Sequence, residues 1–296
     1  MLDQQRLQLR AAFFQAIRIF FQDLGFLEVD TPVRQPLVIP EQNIAHVPSG
    51  THFLQSSPEL YMKRLLASGC ERIFQICRCF RYGEHGRLHL EEFVMLEWYR
   101  LDADYNDLML DCEQLFQFLG TEVAGCHFPV SLAGQWDRIT VEQAFQNYCP
   151  VSVNQALQED RFDLLLVEHI EPHLGGNIPT FLYDYPLELA SLARPKASQP
   201  EVAERFELYM SGIELANGFS ELTDSVQQRS RFEEEFNKMG LRDRAQRKMP
   251  EFFLRDLEKI DRAAGIAMGL DRLFMLLAGQ DSLATAVTFS PDELDM

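Results

Sequence analysis

The apolar positions of the chain switch between two periods, and the switches predict most of the elements. Leu7, Phe14, Ile17, Phe21 and Leu24, joined by Phe13 and Phe20, recur at helical spacing from Gln4 to Leu24, which predicts a long amphipathic helix. Gly25 suits a helix C-cap, and Phe26-Leu27-Glu28-Val29 then reads as a short strand stopped by Thr31-Pro32. The wide apolar face of the helix hints at a subunit interface. Residues 35–50, rich in proline and polar residues, read as a surface loop, compact for a lid. A short strand at His52–Gln55 leads to Ser56-Ser57-Pro58-Glu59, a serine N-cap with proline and glutamate opening a helix through Ala67. Glu59 there has two readings: it complements the helix dipole, or it faces a ligand amine.

From Ile73 to Arg100 the period changes to two, predicting two strands joined by a polar loop. Alternation puts Phe74, Ile76 and Phe80 on one face of the first strand and Gln75, Cys77, Cys79 and Arg81 on the other. In the returning strand Val94, Leu96 and Trp98 oppose Phe93, Met95, Glu97 and Tyr99. One surface thus carries an arginine, an aromatic ring, a carboxylate and a phenol. By itself this is an edge hairpin with a wet face, Glu97 and Arg81 pairing across it.

Further along, Tyr105–Leu119, Thr140–Tyr148 and Phe162–Ile170 read as helices, Thr180–Tyr185 as a strand and Arg194–Pro200 as a polar break. Residues 120–180 carry the weakest signals. Phe206–Ile213 has a strand-like pattern running into Glu214–Glu221, and Ser225–Met239 is a charged helix with Phe232, Phe236 and Met239 as its apolar stripe. Glu214 and Glu221 flank a glycine in an apolar setting, costly unless cations meet them. Magnesium is one solution and neighbouring arginines are another. Ala264–Leu277 reads as strand, glycine turn and helix, with Arg272 in the first helical turn, where a cation needs an anion nearby.

Composition narrows the functions. The chain has 296 residues, 46% of them hydrophobic, enough for a full core. Its 27 basic against 45 acidic residues give a formal charge of −18, which argues against a broad phosphate-binding surface for nucleic acid. A small phosphorylated ligand held by a few arginines stays compatible. The six cysteines include no CxxC pair, so neither a zinc site nor a disulfide framework is expected. No signal peptide or membrane span is discernible, and the expectation is a cytoplasmic protein.

In order, the first helix, strand and Pro32, the Arg81 hairpin, and Gly265-x-x-x-Gly269-x-Asp271-Arg272 resemble the three signature motifs of the class II aminoacyl-tRNA synthetase core. SPELYMKRLL (57–66), EEFVMLEWYR (91–100), GIELANGFSEL (212–222) and GIAMGLDRL (265–273) are most similar to lysyl-tRNA synthetase, and closer still to its short paralogue family, the elongation factor P–(R)-β-lysine ligases. The resemblance covers nearly the whole chain. It implies an α+β fold, a mostly antiparallel sheet flanked by helices, as one catalytic domain over residues 1–296. With the first core helix at the start of the sequence, no N-terminal anticodon-binding barrel is expected. A dimer through the first helix and the strand before Pro32 is implied too.

The implied chemistry is ATP-dependent activation of (R)-β-lysine or lysine as an adenylate, then transfer to a lysine of elongation factor P, without tRNA. By the resemblance Arg81 bridges the substrate carboxylate and the α-phosphate, and Arg272 holds the γ-phosphate. Phe93 stacks on adenine, with Glu84, His89 and Gly269 completing the ATP site. Glu214 and Glu221 bind magnesium. Glu59 meets the substrate amino group, Glu97 with Tyr99 meets its side-chain ammonium, and Asn217 and Ala267 line the amino-acid pocket. Ala267 replaces the glycine usual in the synthetase, as it does in the paralogue.

The sequence departs from the family pattern in places. Phe-Arg-x-Glu becomes Phe80-Arg81-Tyr82-Gly83-Glu84, so the expected glutamate falls on Gly83, with Glu84 as a stand-in through a shifted loop. His-Asn-Pro-Glu becomes His89-Leu90-Glu91-Glu92, which removes an amide, and residues 41–54 are shorter than the family segment. Two other functions stay compatible: a non-catalytic or ATP-impaired paralogue acting in binding or regulation, and an adenylate-forming ligase with another acceptor.

Overall fold

The computed structural model describes residues 1–41, 44–239 and 248–294. In chain order its elements are α1 (Gln4–Asp23), β1 (Leu27–Glu28), β2 (Arg34–Gln35), β3 (Pro48–Ser49), β4 (His52–Leu54), α2 (Glu59–Leu66), β5 (Arg72–Phe80), β6 (Glu92–Leu101), α3 (Tyr105–Glu122), β7 (Asp137–Thr140) and α4 (Val141–Tyr148). There follow α5 (Val153–Gln158), α6 (Phe162–Leu165), β8 (Thr180–Pro186), β9 (Pro195–Lys196), β10 (Gln199–Met210), β11 (Ile213–Ser220), α7 (Ser225–Lys238), α8 (Glu251–Leu257), β12 (Ala263–Gly269) and α9 (Leu270–Leu277).

The main sheet runs β1-β5-β6-β12-β11-β10-β8-β7, with β9 paired to β10. Only its two ends are parallel, at β1–β5 and β7–β8; the pairs between them are antiparallel. A small second sheet has the order β2-β4-β3. This is the α+β architecture expected.

In the first unit the helix and its glycine stop are as read from the sequence, and the cap comes from the structure. Asp3 caps α1 by accepting from the Arg6 N–H at 2.8 Å. Gly25 follows the helix at φ 76°, a left-handed conformation that favours glycine. The wide apolar face of α1 is spent on the protein's own core: Phe13, Ile17, Phe20 and Phe21 are buried there. Phe21 lies 4.9 Å from the Phe74 ring and 5.1 Å from Trp98, which face each other across β5 and β6. Trp98 donates from Nε1 to Asp111 of α3, and Arg100 bonds the other carboxylate oxygen. One sheet face is thereby sealed by α1, α3 and α9. On the other, Ile73 and Tyr99 pack at one end against α2, α7 and α8, and the remainder forms the wall of a cleft.

Several expectations change. The Arg81 hairpin lies inside the sheet, because β1 covers β5 and β12 covers β6; its second face is enclosed. Glu97 does not pair with Arg81. The stretch 35–50 is more than a surface loop: Val38, Ile39 and His46 are buried, and its ends pair in the second sheet. Arg194–Pro200 contains β9 and the start of β10. Phe206–Ile213 is the end of one strand and the beginning of another, joined through Ser211 at φ 53° and Gly212 at φ 71°. Two successive positive φ values suit the tight turn of a right-twisted hairpin. The helix expected over Phe162–Ile170 is α6 continued by a π-turn over Leu166–Ile170. Helix α8 carried no sequence expectation.

Candidate active site

Strand register assembles the site. Cross-strand neighbours share a face, and one row runs Gln75, Glu97, Ala267, Asn217 and Glu207 across β5, β6, β12, β11 and β10. The next row on that face is Ile73, Tyr99, Gly265, Phe219 and Arg205. Simple alternation would put Glu214 on the face opposite Asn217, three residues away. A β-bulge prevents this: Leu208 pairs with Ala216 but Tyr209 pairs with Glu214. The extra residue, Leu215, reverses the parity and turns Glu214 to the side of Glu207.

The result is a cleft of about 390 Å³. Of the residues singled out from the sequence, Glu59, Arg81, Glu84, His89, Phe93, Glu97, Tyr99, Glu214, Asn217, Ala267, Gly269 and Arg272 all line it. Glu221 does not. Its carboxylate is buried and forms an ion pair with Lys63.

At one end of the cleft two carboxylates share a single ammonium, with a third acid, Glu97, close by. Lys63, one helical turn after Glu59 on α2, pairs with both Glu59 and Glu221, and its side chain is only 1% exposed. These two partners outweigh burial and raise the Lys63 pKa, so it stays charged. Glu97 receives hydrogen bonds from Ser57 Oγ at 2.7 Å and Tyr99 Oη at 2.6 Å. The same Ser57 oxygen accepts the Glu59 N–H at 3.0 Å, so it is Ser57 that serves the first turn of α2. Burial, reinforced by Glu59, pushes Glu97 up to about 8. At neutral pH the empty site therefore holds Glu97 as a neutral acid. Gly265 is the floor, since a Cβ there would strike the Tyr99 ring and the Glu221 carboxylate.

The other end is built from arginines. Arg272, in the first turn of α9, is held from four directions. Its Nε donates to the Leu88 carbonyl at 3.1 Å, Nη1 to the Glu214 carbonyl at 2.9 Å and to Glu214 Oε2 at 3.3 Å, and Nη2 meets His89 Nε2 at 2.8 Å. Burial and Arg272 depress the His89 pKa, keeping the ring neutral and able to accept. Glu214 supplies the anion that a cation at a helix N-terminus requires. Arg81 lies over the Phe93 ring at 5.2 Å, and its Nε, shielded from solvent, has no partner among the described residues.

The turn after β5 accounts for the altered Arg-x-Glu spacing. Gly83 sits at φ 77°, and its N–H donates to Glu91 Oε1 at 3.0 Å. A glutamate at that position would be strained. The next residue reaches the cleft instead, and Glu84 lies 3.7 Å from Arg81 Nη1. Leu90, in the place of the family amide, is buried in the core cluster beside the cleft.

Some participants gave weaker sequence signals. Glu207 faces the cleft beside Glu214, bonded by Tyr185 and Tyr209 hydroxyls at 2.6 and 2.7 Å and by Arg205 at 2.6 Å. Burial and the Glu214 charge raise its pKa. Its signal was the alternation of Arg205, Glu207 and Tyr209 with Phe206, Leu208 and Met210. Lys63 was legible only as the i+4 partner of Glu59. Asp271 is structural: it accepts from Arg10 at 2.5 Å and from the Val94 N–H at 2.7 Å, tying α9 to α1 and β6. The expected Glu214–Glu221 pair is thus divided, Glu221 among the carboxylates around Lys63 and Glu214 among Glu207, Arg205 and Arg272.

Comparison with known proteins identifies the family. The family model for class II tRNA synthetases (D, K and N) matches residues 3–293. The elongation factor P–(R)-β-lysine ligase of Salmonella gallinarum is 39% identical over 316 aligned positions, covering 96% of this chain and 94% of that protein. The proteins of the same name from Salmonella paratyphi B and Salmonella schwarzengrund are each 38% identical over the same shares. The shared motifs, the sheet that presents them and a match over nearly the full length place this chain in the class II tRNA synthetase family of the D, K and N group.

Proposed function

We propose that the protein is an ATP-dependent ligase that activates (R)-β-lysine or lysine as an aminoacyl adenylate and passes it to a lysine of elongation factor P. The observation that carries this reading is the division of one cleft into a carboxylate end around Lys63 and an arginine end around Arg272. The identity with the Salmonella ligases supports it. A diamino acid has two ammonium groups and one carboxylate, and the cleft offers Glu59 and Glu97 to the former and Arg81 to the latter.

In the first step a substrate carboxylate oxygen attacks the α-phosphorus of ATP, and the bond to pyrophosphate breaks. Two anions must be held together while charge builds on the phosphoryl group, a task for fixed cations. Arg81, whose Nε–H has no partner among the described residues, holds the substrate carboxylate to the α-phosphate. Arg272, immobilised before ATP arrives, takes the γ-phosphate at little cost in ordering. Phe93 stacks on adenine, and Glu84, His89 and Gly269 shape the rest of the nucleotide site. In the second step the acceptor's ε-amine attacks the acyl carbon and AMP leaves; no enzyme nucleophile is required.

Magnesium commonly takes one or two carboxylates and fills its shell with phosphate oxygens and water. Glu214, with its side chain 37% exposed, fits as such a carboxylate, whereas Glu221 is engaged by Lys63 and Glu207 by Arg205 and two tyrosine hydroxyls. When bound, the ion would neutralise charge on the departing pyrophosphate. Asn217 and Ala267, in register with Glu97, line the amino-acid end, where the Ala267 methyl narrows the pocket. The same reading makes the protein a cytoplasmic homodimer without a tRNA partner, formed through α1 and the neighbouring edge strand β1, where Leu27 is exposed. Among the described residues no helix is long and apolar enough to cross a membrane.

The test is amino-acid-dependent exchange of pyrophosphate into ATP with (R)-β-lysine, (S)-β-lysine and α-lysine, beside an Arg81→Ala control. Exchange with a lysine isomer that the control abolishes, followed by acylation of elongation factor P, is the expected result. No exchange by folded protein with any of the three would overturn the ligase reading.

A further inference from the structure

Glu41 lines the cleft but belongs to none of the motifs that carry the family resemblance. Among the described residues its carboxylate makes no hydrogen bond or ion pair. The chain on either side is anchored to the walls of the site. Ile39, two residues before it, is buried with Leu60 of α2, the helix that carries Glu59. The Ala45 carbonyl, four residues after it, accepts the Tyr82 N–H at 2.8 Å, in the turn that follows Arg81. Glu41 is therefore held between the carboxylate assigned to the substrate's near amine and the arginine assigned to its carboxylate.

The charged groups facing it come from four elements: Glu59 of α2, Arg81 after β5, Arg205 of β10 and Glu235 of α7. Burial and Glu59 together push its pKa up to about 7, against the pull of the two arginines. A half-buried carboxylate without a partner is costly, and an arriving ammonium would relieve that cost. An amino acid with its carboxylate on Arg81 must place the amine of its first few carbons in this region. A β-amine stands one bond farther from the carboxylate than an α-amine, and a second carboxylate beside Glu59 widens the reach of the site.

We propose that Glu41 is a specificity-determining residue which, together with Glu59, clasps the ammonium nearest the substrate carboxylate. This rests on the ligase reading above and adds to it a residue outside the motifs. Selection would then operate on the near amine, separately from the recognition of the far amine at Glu97.

Titration calorimetry on the full chain with saturating ATP analogue tests this, using (R)-β-lysine, α-lysine and 6-aminohexanoate, which keeps the far amine and the carboxylate but lacks the near amine. Losing a charged hydrogen-bond partner amounts to about ten- to a hundredfold in affinity. Glu41→Gln is expected to weaken whichever lysine isomer the wild type prefers by that factor and to leave 6-aminohexanoate unchanged. Glu41→Asp, which keeps the charge, is expected to recover most of the loss and remains informative if the amide variant does not fold. Equal affinities in wild type and Glu41→Gln would overturn the proposal, as would equal losses for all three ligands. Wild-type exchange with unchanged Glu41→Gln binding sinks this inference alone, whereas absent wild-type exchange sinks the ligase reading first.

Discussion

Replacing Glu97 by glutamine should stabilise the empty protein at high pH while weakening its substrate binding. In the fold Glu97 is 1% exposed and keeps its proton to about pH 8. In the unfolded chain it loses the proton near 4.5, the ordinary value. Between these pH values the native state binds more protons than the unfolded state, so stability falls as pH rises, by about 1.4 kcal/mol per unit at most. Over the whole window the ceiling is about 5 kcal/mol, fully present as a penalty above pH 8 and absent below 4.5. Tyr99 is itself pushed well above its ordinary value and stays neutral throughout. Glutamine keeps the shape but cannot ionise. Urea unfolding at pH 6 and pH 9 should show the variant gaining up to about 3 kcal/mol on wild type between the two. Most other acids titrate alike in both proteins, so the difference reports Glu97 together with the effect of its charge on Glu221. Parallel dependence on pH in the two proteins would refute the reasoning and mean that Glu97 is already ionised in the neutral fold.

Two further substitutions probe the frame of the site. Asp271→Asn leaves Arg10, only 8% exposed, without its counter-charge; a loss of about 3–5 kcal/mol is expected in denaturant unfolding, and a change under 1 kcal/mol would mean the pair is not desolvated. Gly265→Ala drives a methyl against Tyr99 and Glu221, with an expected cost of about 1–3 kcal/mol and loss of measurable lysine binding in calorimetry. Retained binding would show that the floor can yield.

Much of the site was legible because β-strand alternation is local. Residues 93, 95, 97 and 99 had to share a face once the segment was a strand, and they do. Glu84 reaches the cleft because glycine at 83 permits the turn that carries it inward. Other features left no local trace. The face on which Glu214 lies depends on a bulge set by pairing between β10 and β11. Glu41 has no periodicity or motif around it. The hairpin at Ser211-Gly212 was hidden inside one apolar run, since strand pattern does not mark where a chain reverses.

The sequence by itself determined the elements of the catalytic core, the chemical types gathered there and the family to which they belong, because period and motif spacing are properties of neighbouring residues. Only the tertiary structure decided which carboxylate meets which cation. Glu214 and Glu221 look equivalent along the chain, yet the bulge sends one to Arg272 and Glu207. The other lies beyond the end of β11, buried against a lysine more than 150 positions away. That partition is a matter of burial and distance in three dimensions, and it is what divides the cleft into a carboxylate end around Lys63 and an arginine end around Arg272.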